Sequence, residues 1–352
     1  MTEPEKLSDL TEPKKLLGLT EPKTTRPEAS EPEVFYINTE TGLCQWKKPV
    51  QWDTFREVDN TFAEMFPMWV GRVLITAENE KWAQTAGKTA TGFATSVIMS
   101  PAEAGIEGIV SADKTPDGRP GAIIQVYHRS RFDLKSQMIL RIGQCVMTCP
   151  TTAAFDALPE AKRRLKVGRS LRYFGDGYQK RDTLFERKVW RIPVMESEFI
   201  VEDRFGAVNA IGGGNFLIMA ENQKAGLRAA EEAVDAINRL NEKVILPFPG
   251  GVCRSGSKAG SLKYKLKAST FHQYCPKLKK IVPDSHVPDN VDTVYEIVID
   301  GLTLDAIKRT MGEGIEAAVK ISGVVKISAG NYGGKLGPFR ADLKEVLALQ
   351  SV

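Results

Sequence analysis

The order of apolar and polar positions is repeated in two distant parts of the chain. An apolar run typical of a strand, a polar turn and an Ala-rich stretch typical of a helix follow one another in both Arg72–Phe93 and Asn215–Ala236. Each repeat then reaches a second apolar run, Ser96–Met99 in the first and Lys243–Leu246 in the second, with Pro and Gly soon after. The pattern predicts a β–α–β unit in each half of the chain.

A second strand and helix are predicted in each half. Gly121–His128 is a strand-like run that precedes a helical stretch around Leu134–Val146. Thr293–Asp300 is its counterpart and precedes Leu302–Lys320, which is apolar along one helical face. The last strand-like run of the second half is Val324–Ser328.

Two such units in each half predict an α+β fold with two homologous ferredoxin-like α/β sandwich lobes. We place the N-terminal lobe at 59–197 and the C-terminal lobe at 198–352. A cleft between two lobes is a preferred place for a ligand, so the functional site is expected there.

The segments before the first lobe have a different character. Residues 1–32 repeat Thr-Glu-Pro and contain too little apolar surface to offset the entropy of ordering, so we expect a disordered tail. Residues 33–52 contain two short strand-like runs, in Glu33–Pro49, that resemble the second and third strands of a WW domain. The first strand of that family has no counterpart upstream, so a linker hairpin is an equal alternative.

Composition limits the class of protein. The chain has 352 residues, a net charge of +4 and five cysteines. It has no uninterrupted apolar run of the roughly 18 residues that a membrane helix needs, and its first thirty residues contain no secretory apolar segment. The number of cysteines is small and odd, which fits free thiols in a reducing compartment. We therefore expect a cytoplasmic location and no contact with a membrane.

Positive charge is concentrated in two acid-free segments. Nine Lys or Arg residues lie in Lys243–Pro283, and a shorter basic run spans Ala161–Arg172. Such runs are commonly solvated surface, but they also suit an anionic ligand or RNA. Because recognition of RNA calls for aromatic side chains in a known module, small anionic substrates are favoured over nucleic acid.

The usual metal and nucleotide patterns are incomplete. His128, His272 and His286 have no second His at helical spacing, and the Cys spacings do not fit a structural zinc site, so no metal is expected. The Gly-rich loop Ser328–Pro338 resembles a phosphate-binding loop, but it lacks the first Gly and the hydroxyl residue after its Lys. The glycines of Ile211–Phe216 precede a strand, so they do not form a dinucleotide fingerprint.

Glu296 is the strongest candidate for catalysis. It lies on the same strand face as Val294 and Val298, and a carboxylate there costs free energy unless it is paired. Burial would raise its pKa and allow it to give or take a proton near neutrality. The alternatives are a solvated strand face and a structural ion pair with Lys or Arg.

Gly-rich loops at strand ends supply the candidate substrate-binding residues. Loops without side chains let backbone N–H groups approach a ligand and hold an oxyanion, although glycine also simply makes turns. With the basic run they give the candidates Gly212, Gly213, Gly214, Asn215, Pro249, Gly250, Gly251, Arg254, Ser255, Lys258, Asn331, Gly333, Gly334 and Lys335.

Several segments resemble one enzyme family. The chain is similar to formylmethanofuran–tetrahydromethanopterin formyltransferases from about residue 59 to Pro338, in Asp59–Phe66, Gly92–Gly108, Thr115–Gly121, Arg141–Thr151, Leu171–Gln179, Val189–Asp203, Pro247–Ser261, Val294–Leu302 and Ile327–Pro338. The motifs LRYFGDGYQ, WRIPVM and NYGGKLGP resemble those of the bacterial form, which is the catalytic subunit of a formyltransferase/hydrolase complex.

The resemblance implies a reaction and an assembly. The family moves a formyl group between the amine of methanofuran and N5 of tetrahydromethanopterin, uses no bound cofactor and forms a homotetramer. Its essential glutamate lies in the strand that corresponds to Val294–Leu302, at Glu296. Hydrolase-complex subunits are possible partners, and both carriers are anionic. The alternative is a non-catalytic paralogue that serves as an assembly subunit of such a complex.

Overall fold

The strands follow the apolar runs of the sequence in most places. The computed structural model describes residues 33–51 and 53–348, so the predicted tail over 1–32 lies outside the described residues. The strands in this part of the chain are β1 (Val34–Asn38), β2 (Cys44–Gln45), β3 (Phe55–Asp59), β4 (Phe62–Thr76), β5 (Glu103–Val110), β6 (Gly121–His128), β7 (Ala153–Asp156), β8 (Arg163–Leu165), β9 (Lys180–Leu184), β10 (Arg187–Pro193), β11 (Glu198–Glu202), β12 (Phe205–Ala220), β13 (Val244–Ile245), β14 (Lys258–Ala259), β15 (Ala268–Ser269), β16 (Thr293–Gly301), β17 (Val324–Ser328) and β18 (Phe339–Asp342).

The helices begin at capping residues that the duplication repeats. They are α1 (Glu80–Thr91), α2 (Arg131–Arg141), α3 (Val167–Leu171), α4 (Gln223–Arg239), α5 (Leu304–Val319) and α6 (Leu343–Ala348). Asn79 and Asn222, which occupy equivalent places in the two repeats, accept a hydrogen bond from the backbone N–H three residues later. An Asn at this position satisfies a free helix donor and stabilises the first turn.

Both lobes have the same order of elements and the same order of strands. The first lobe runs β4–α1–β5–β6–α2–β7 and its sheet is ordered β7-β4-β6-β5. The second runs β12–α4–β13–β16–α5–β17 with the order β17-β12-β16-β13. The duplication in the sequence is therefore a duplication of topology.

One strand that the sequence predicted is not formed. Ser96–Met99 forms a turn, and the second strand of the first lobe is instead β5. Its segment contains two glycines and does not look like a strand in the sequence. Gly105 is needed there because a Cβ would lie 2.9 Å from the side chain of Ile245, which belongs to the other lobe.

Two long strands join the lobes. β4 and β12 pair antiparallel from Phe66 to Val70 and from Val208 to Gly212, so the two lobes share one continuous sheet. Each strand begins in the core of the opposite lobe: Met65 packs in the second-lobe core, and Phe205 packs in the first-lobe core. The first residues of β4 therefore pack in the second lobe, and the first residues of β12 pack in the first lobe. A single boundary between residues 197 and 198 does not describe this exchange.

The hairpin at residues 33–52 is attached to the second lobe. β1 pairs with β2, and Trp46 contacts Phe35 edge-on with ring centroids 5.5 Å apart. β1 also pairs with β3, which pairs in parallel with β17. Phe35 and Ile37 are buried in the second-lobe core. The segment therefore contributes apolar packing to the lobe, which an independent linker hairpin would not.

No helix within residues 33–51 and 53–348 combines the length and the apolar character needed to cross a membrane.

Deletion of residues 1–52 is expected to destabilise the protein strongly. It removes Phe35 and Ile37, and burying a side chain of this size contributes about 1.5–3 kcal/mol. Chemical denaturation of the deletion variant should show a loss of several kcal/mol, or the chain should fail to accumulate in folded form. A truncation that begins at Glu33 is the matched control, and equal stability of the two truncations would contradict the packing role.

Candidate active site

Glu296 lies at the middle of a buried strand and beside the cleft between the lobes. It is 3 % exposed and stands on β16 opposite Leu217 of β12. On the other side, its backbone exchanges two hydrogen bonds with Cys253, at 2.8 and 2.9 Å. The strand is therefore held from both edges, so the position of this carboxyl is set by the sheet.

The surroundings of Glu296 favour its neutral form. Burial raises the pKa of its carboxyl from 4.5 to about 7, and hydrogen bonding from the Ser257 and Cys253 side chains and the Ser257 backbone opposes part of that rise. Oε2 has no hydrogen-bond partner among the described residues. A buried carboxyl with a pKa near neutrality and a free oxygen can accept and release a proton.

A cavity between the lobes reaches this carboxyl. It has an empty volume of about 540 Å³, including space open to solvent, and Glu296 forms part of its wall. The first lobe contributes Thr95, Ser96, Ile98 and Glu103 to the wall, and the second contributes Gly213, Asn215, Phe248, Ser257, Val298 and Tyr332. The predicted location of the site in the interlobe cleft agrees with this arrangement.

A second cavity reaches Glu296 within the second lobe. Its empty volume is about 790 Å³, also including space open to solvent. Arg254 and Lys277 place positive charge on its wall, and Phe271 and Tyr274 supply aromatic surface. Glu296 is thus shared by two cavities, one between the lobes and one with cationic and aromatic lining.

Two further buried carboxyls lie beside the interlobe cavity. Glu103 of the first lobe and Asp300 of the second lie next to each other, and burial raises the pKa of both carboxyls. Glu103 Oε2 and Asp300 Oδ2 have no donor among the described residues, so the two carboxyls can hydrogen-bond each other only if one of them carries a proton. Glu103 also accepts the Val97 N–H at 2.8 Å, and Asp300 accepts the Gly213 N–H at 2.9 Å. The pair therefore connects opposite walls of the cavity.

The Gly-rich loop after β17 surrounds a carboxylate of the chain itself. Glu64, on β4 and 1 % exposed, accepts the N–H groups of Tyr332 at 2.7 Å and Gly334 at 3.1 Å on one oxygen. Its other oxygen accepts the N–H groups of Leu336 and, at 3.0 Å, Gly337. The loop is an anion-binding nest even though its phosphate-loop pattern is incomplete, and its anion is Glu64.

The predicted site residues separate into groups around these cavities. Gly213 and Asn215 line the interlobe cavity, and Arg254 and Ser255 line the second cavity. Gly213 has a φ of +89° and would bring a Cβ within 2.8 Å of the Phe66 ring, so glycine is required there.

Other predicted residues have structural partners. Gly212 packs against Met68 and Gly214 against Ile307, while Pro249, Gly250 and Gly251 form a turn after Phe248. The Lys258 Nζ lies 3.0 Å from His272 Nδ1. Asn331 donates to Thr61 and Phe62, Gly333 donates to the Asn331 side chain, Gly334 donates to Glu64, and Lys335 is exposed.

Glu64, Glu103 and Asp300 are the polar residues of the site that the sequence interpretation missed. Asp300 could have been found, because it has the same strand parity as Glu296 and Val298. Glu64 and Glu103 lie far from Glu296 in the sequence and come close only through the pairing of the lobes. No group of three or more His, Cys, Asp or Glu side chains suited to a metal ion occurs in the part of the chain that the structure describes.

The fold and site define a two-lobed α+β protein with a buried carboxyl of raised pKa beside its interlobe cleft. Residues 54–194 match the family described as formylmethanofuran-tetrahydromethanopterin formyltransferase, and residues 197–346 match the family described as FTR, proximal lobe. The chain belongs to the formylmethanofuran–tetrahydromethanopterin formyltransferase family.

Similar proteins share most of their length with this chain. The formyltransferases of Methanocaldococcus jannaschii and Methanopyrus kandleri are 55 % and 56 % identical over 293 and 294 residues, which cover 82 % of this chain and 97 % and 98 % of theirs. The formyltransferase structure from Methanosarcina barkeri has a TM-score of 0.79 and 50 % identity and covers 82 % of this chain and 97 % of its own.

A bacterial structure is similar as well. A chain of the formyltransferase/hydrolase complex (FhcABCD) of Methylorubrum extorquens, solved with methylofuran, has a TM-score of 0.79 and 44 % identity and covers 83 % of this chain and 97 % of its own.

Glu296→Gln is expected to change how stability depends on pH. The carboxyl has a folded-state pKa of about 7 against 4.5 in the unfolded chain, so the stability it contributes is present below pH 4.5 and is lost as pH rises through 7. Denaturant unfolding should show the wild type losing on the order of 2–3 kcal/mol relative to Glu296→Gln between pH 5 and pH 8. Parallel pH curves for the two proteins would contradict a buried carboxyl with a raised pKa.

Proposed function

We propose that this chain transfers a formyl group between the amine of methanofuran and N5 of tetrahydromethanopterin, as a step of one-carbon metabolism. The observation that carries the proposal is the buried Glu296 carboxyl, with a pKa near 7 and one free oxygen, shared by two cavities. Membership of the family and the names of relatives that are 50–56 % identical support this reaction.

In the proposed mechanism the acceptor amine attacks the formyl carbon directly. A C–N bond forms, the carbonyl becomes an oxyanion, and Glu296 accepts the proton that the attacking nitrogen loses. The tetrahedral adduct then collapses: the original C–N bond breaks, the carbonyl re-forms, and Glu296 returns the proton to the departing nitrogen. Charge and atoms balance without a nucleophilic Ser or Cys, and the reaction uses no resident cofactor.

Hydroxyl groups are better placed than the glycine loops to stabilise the oxyanion. The loop N–H groups that the sequence suggested are already occupied: Gly213 donates to Asp300, Gly330 to Asn215, and Tyr332 to Glu64. The hydroxyl-bearing residues on the wall of the interlobe cavity are Thr95, Ser96, Ser257 and Tyr332. We infer that Thr95 and Ser96 supply the donors, since the Tyr332 hydroxyl donates to the Ser257 carbonyl and the Ser257 hydroxyl is directed to Glu296.

Anionic parts of the carriers are assigned to the basic surface of the second lobe. Arg254 and Lys277 on the second cavity match a carboxylate or phosphate, and we assign Lys258 and the exposed Lys335 to anionic parts of the carriers as well. The remaining predicted substrate-binding glycines act by shaping these loops. Phe271 and Tyr274 offer flat apolar surface for a furan or pterin ring.

The assembly is also a proposal. The bacterial relative belongs to a formyltransferase/hydrolase complex, which supports similar partners here, and a homotetramer is proposed with it. Exposed apolar side chains of the first lobe, including Phe93, Phe132, Tyr178 and Met195, provide surface for such contacts. The free cysteines support a cytoplasmic location. The order of strands supports a ferredoxin-like description of both lobes.

A formyl-exchange assay with both purified carriers tests the proposal. Wild type should transfer the formyl group, and Glu296→Gln should lower kcat by about 10²–10⁴-fold because no group then accepts the proton. In the direction in which Glu296 acts first as a base, kcat should fall as the pH drops below about 7.

Glu316→Gln is the matched control. Glu316 is another glutamate whose pKa burial raises, but it lies on α5 near the 33–52 hairpin and on neither cavity. Its replacement should leave kcat unchanged. Undiminished turnover in Glu296→Gln would rule out the proton-transfer role. A wild type that binds both carriers without exchanging formyl would instead favour the non-catalytic assembly subunit.

A further inference from the structure

Glu64 fills a site that the loop would otherwise offer to an external anion. Its two carboxylate oxygens accept four backbone N–H groups from Tyr332–Gly337, and charge-assisted hydrogen bonds of this kind are roughly twice as strong as neutral ones. Its own backbone N–H donates to Gly330 at 3.3 Å. The conformation of the loop, which contains two glycines with positive φ, depends on this one side chain.

Two residues, Tyr332 of the loop and Ser257, connect Glu64 to the Glu296 carboxyl. Tyr332, whose N–H binds Glu64, turns its ring against Phe271 in a stacked arrangement, with centroids 5.9 Å apart and planes 6° apart. Its hydroxyl donates to the backbone carbonyl of Ser257. Ser257 and Glu296 lie together on the wall of the interlobe cavity, and the donors of Ser257 lower the pKa of the Glu296 carboxyl.

We propose that Glu64 is a positioning residue for Glu296, acting through the Tyr332–Ser257 connection. Glu64 organises the loop, the loop aims the Tyr332 hydroxyl, and that hydroxyl holds Ser257 where its donors meet the Glu296 carboxyl. The first half of the chain thereby sets the proton affinity of the catalytic group in the second half. The effect of Glu64 on turnover rests on the proposed formyl transfer, whereas its effect on the protonation of Glu296 does not.

The direction of the effect follows from the balance at Glu296. Burial raises its pKa and the Ser257 donors lower it, so withdrawal of Ser257 lets burial dominate and raises the pKa above about 7. Other titratable or charged groups on the cavities that Glu296 lines are Cys253, Arg254, Tyr274, Lys277, Tyr332, Glu64 and Glu103. The pKa of the three thiol and phenol groups is raised, so they remain neutral near pH 7 and leave Ser257 as the adjustable partner.

Removal of Glu64 followed by rescue with acetate tests the proposal. Glu64→Ala deletes the atoms that acetate would restore, and the side chain lines the solvent-connected interlobe cavity, so acetate can enter. Infrared titration of the protonated carboxyl band, assigned by its loss in Glu296→Gln, reports the protonation of Glu296 directly. Glu64→Ala should move this transition upward by about one pH unit, a tenfold change in proton affinity, and acetate should move it back.

Kinetics provide the second readout. Glu64→Ala should lower kcat by about 10²-fold, as expected for a small misplacement of a catalytic group, with a smaller change in KM. The acidic limb of the pH–kcat profile should shift with the infrared transition, and acetate should restore both. A residue with a merely structural role would lower the amount of folded protein without shifting the titration of the folded fraction.

Two variants separate the connection from general damage. Tyr332→Phe keeps the nest and removes only the hydroxyl, so it should shift the Glu296 transition upward and should not respond to acetate. Glu107→Ala breaks a part-buried ion pair with Arg72 in the first lobe and should neither shift the transition nor respond to acetate.

An unshifted Glu296 transition in folded Glu64→Ala overturns the proposal. If Glu64→Ala does not fold, Tyr332→Phe decides, and an unshifted transition there overturns the connection. A wild type without formyl transfer refutes the proposed function but leaves the infrared comparison as the test of Glu64.

Discussion

The pairing of β4 with β12 is the constraint on which the site depends. It joins the two lobes through backbone hydrogen bonds from Phe66 to Val70 and from Val208 to Gly212, and it carries the start of each strand into the opposite core. The lobes therefore cannot separate without breaking a sheet and exposing apolar side chains. This rigidity holds the two walls of the interlobe cavity at a fixed distance, as a catalytic site requires.

That fixed geometry lets the protein keep four carboxyl groups out of water in three different ways. Glu64 is surrounded by backbone donors, Glu103 and Asp300 lie next to each other and can pair only if one is protonated, and Glu296 has one oxygen without a partner and a pKa of about 7. A buried carboxyl with all its acceptors satisfied is a structural element, whereas one with a free oxygen and a pKa near neutrality can do chemistry. The differences among these environments assign the roles.

The sequence predicted the strand that carries Glu296 and the cleft beside it but not the other carboxyls. The alternation in β16 is a local signal, so Glu296 could be assigned to a strand face and its burial anticipated. The glycines of the loop after β17 were predicted to hold an oxyanion of the substrate, but their N–H groups bind Glu64, which could not be anticipated because it is far away in the chain. The Ser96–Met99 run, four residues long, is too short to tell a strand from a cavity-lining turn.

The sequence by itself determined the duplicated order of strands and helices, the capped starts of α1 and α4 and the acidic position on β16, because these depend on the spacing of residues along a short stretch of chain. Only the tertiary structure decided that the 33–52 hairpin packs into the second lobe, that β4 and β12 exchange ends, and that Glu64 occupies the loop. Those features arise where backbone groups of distant segments hydrogen-bond each other and where apolar surfaces of distant segments pack together. Local spacing contains no information about which distant partner will do so.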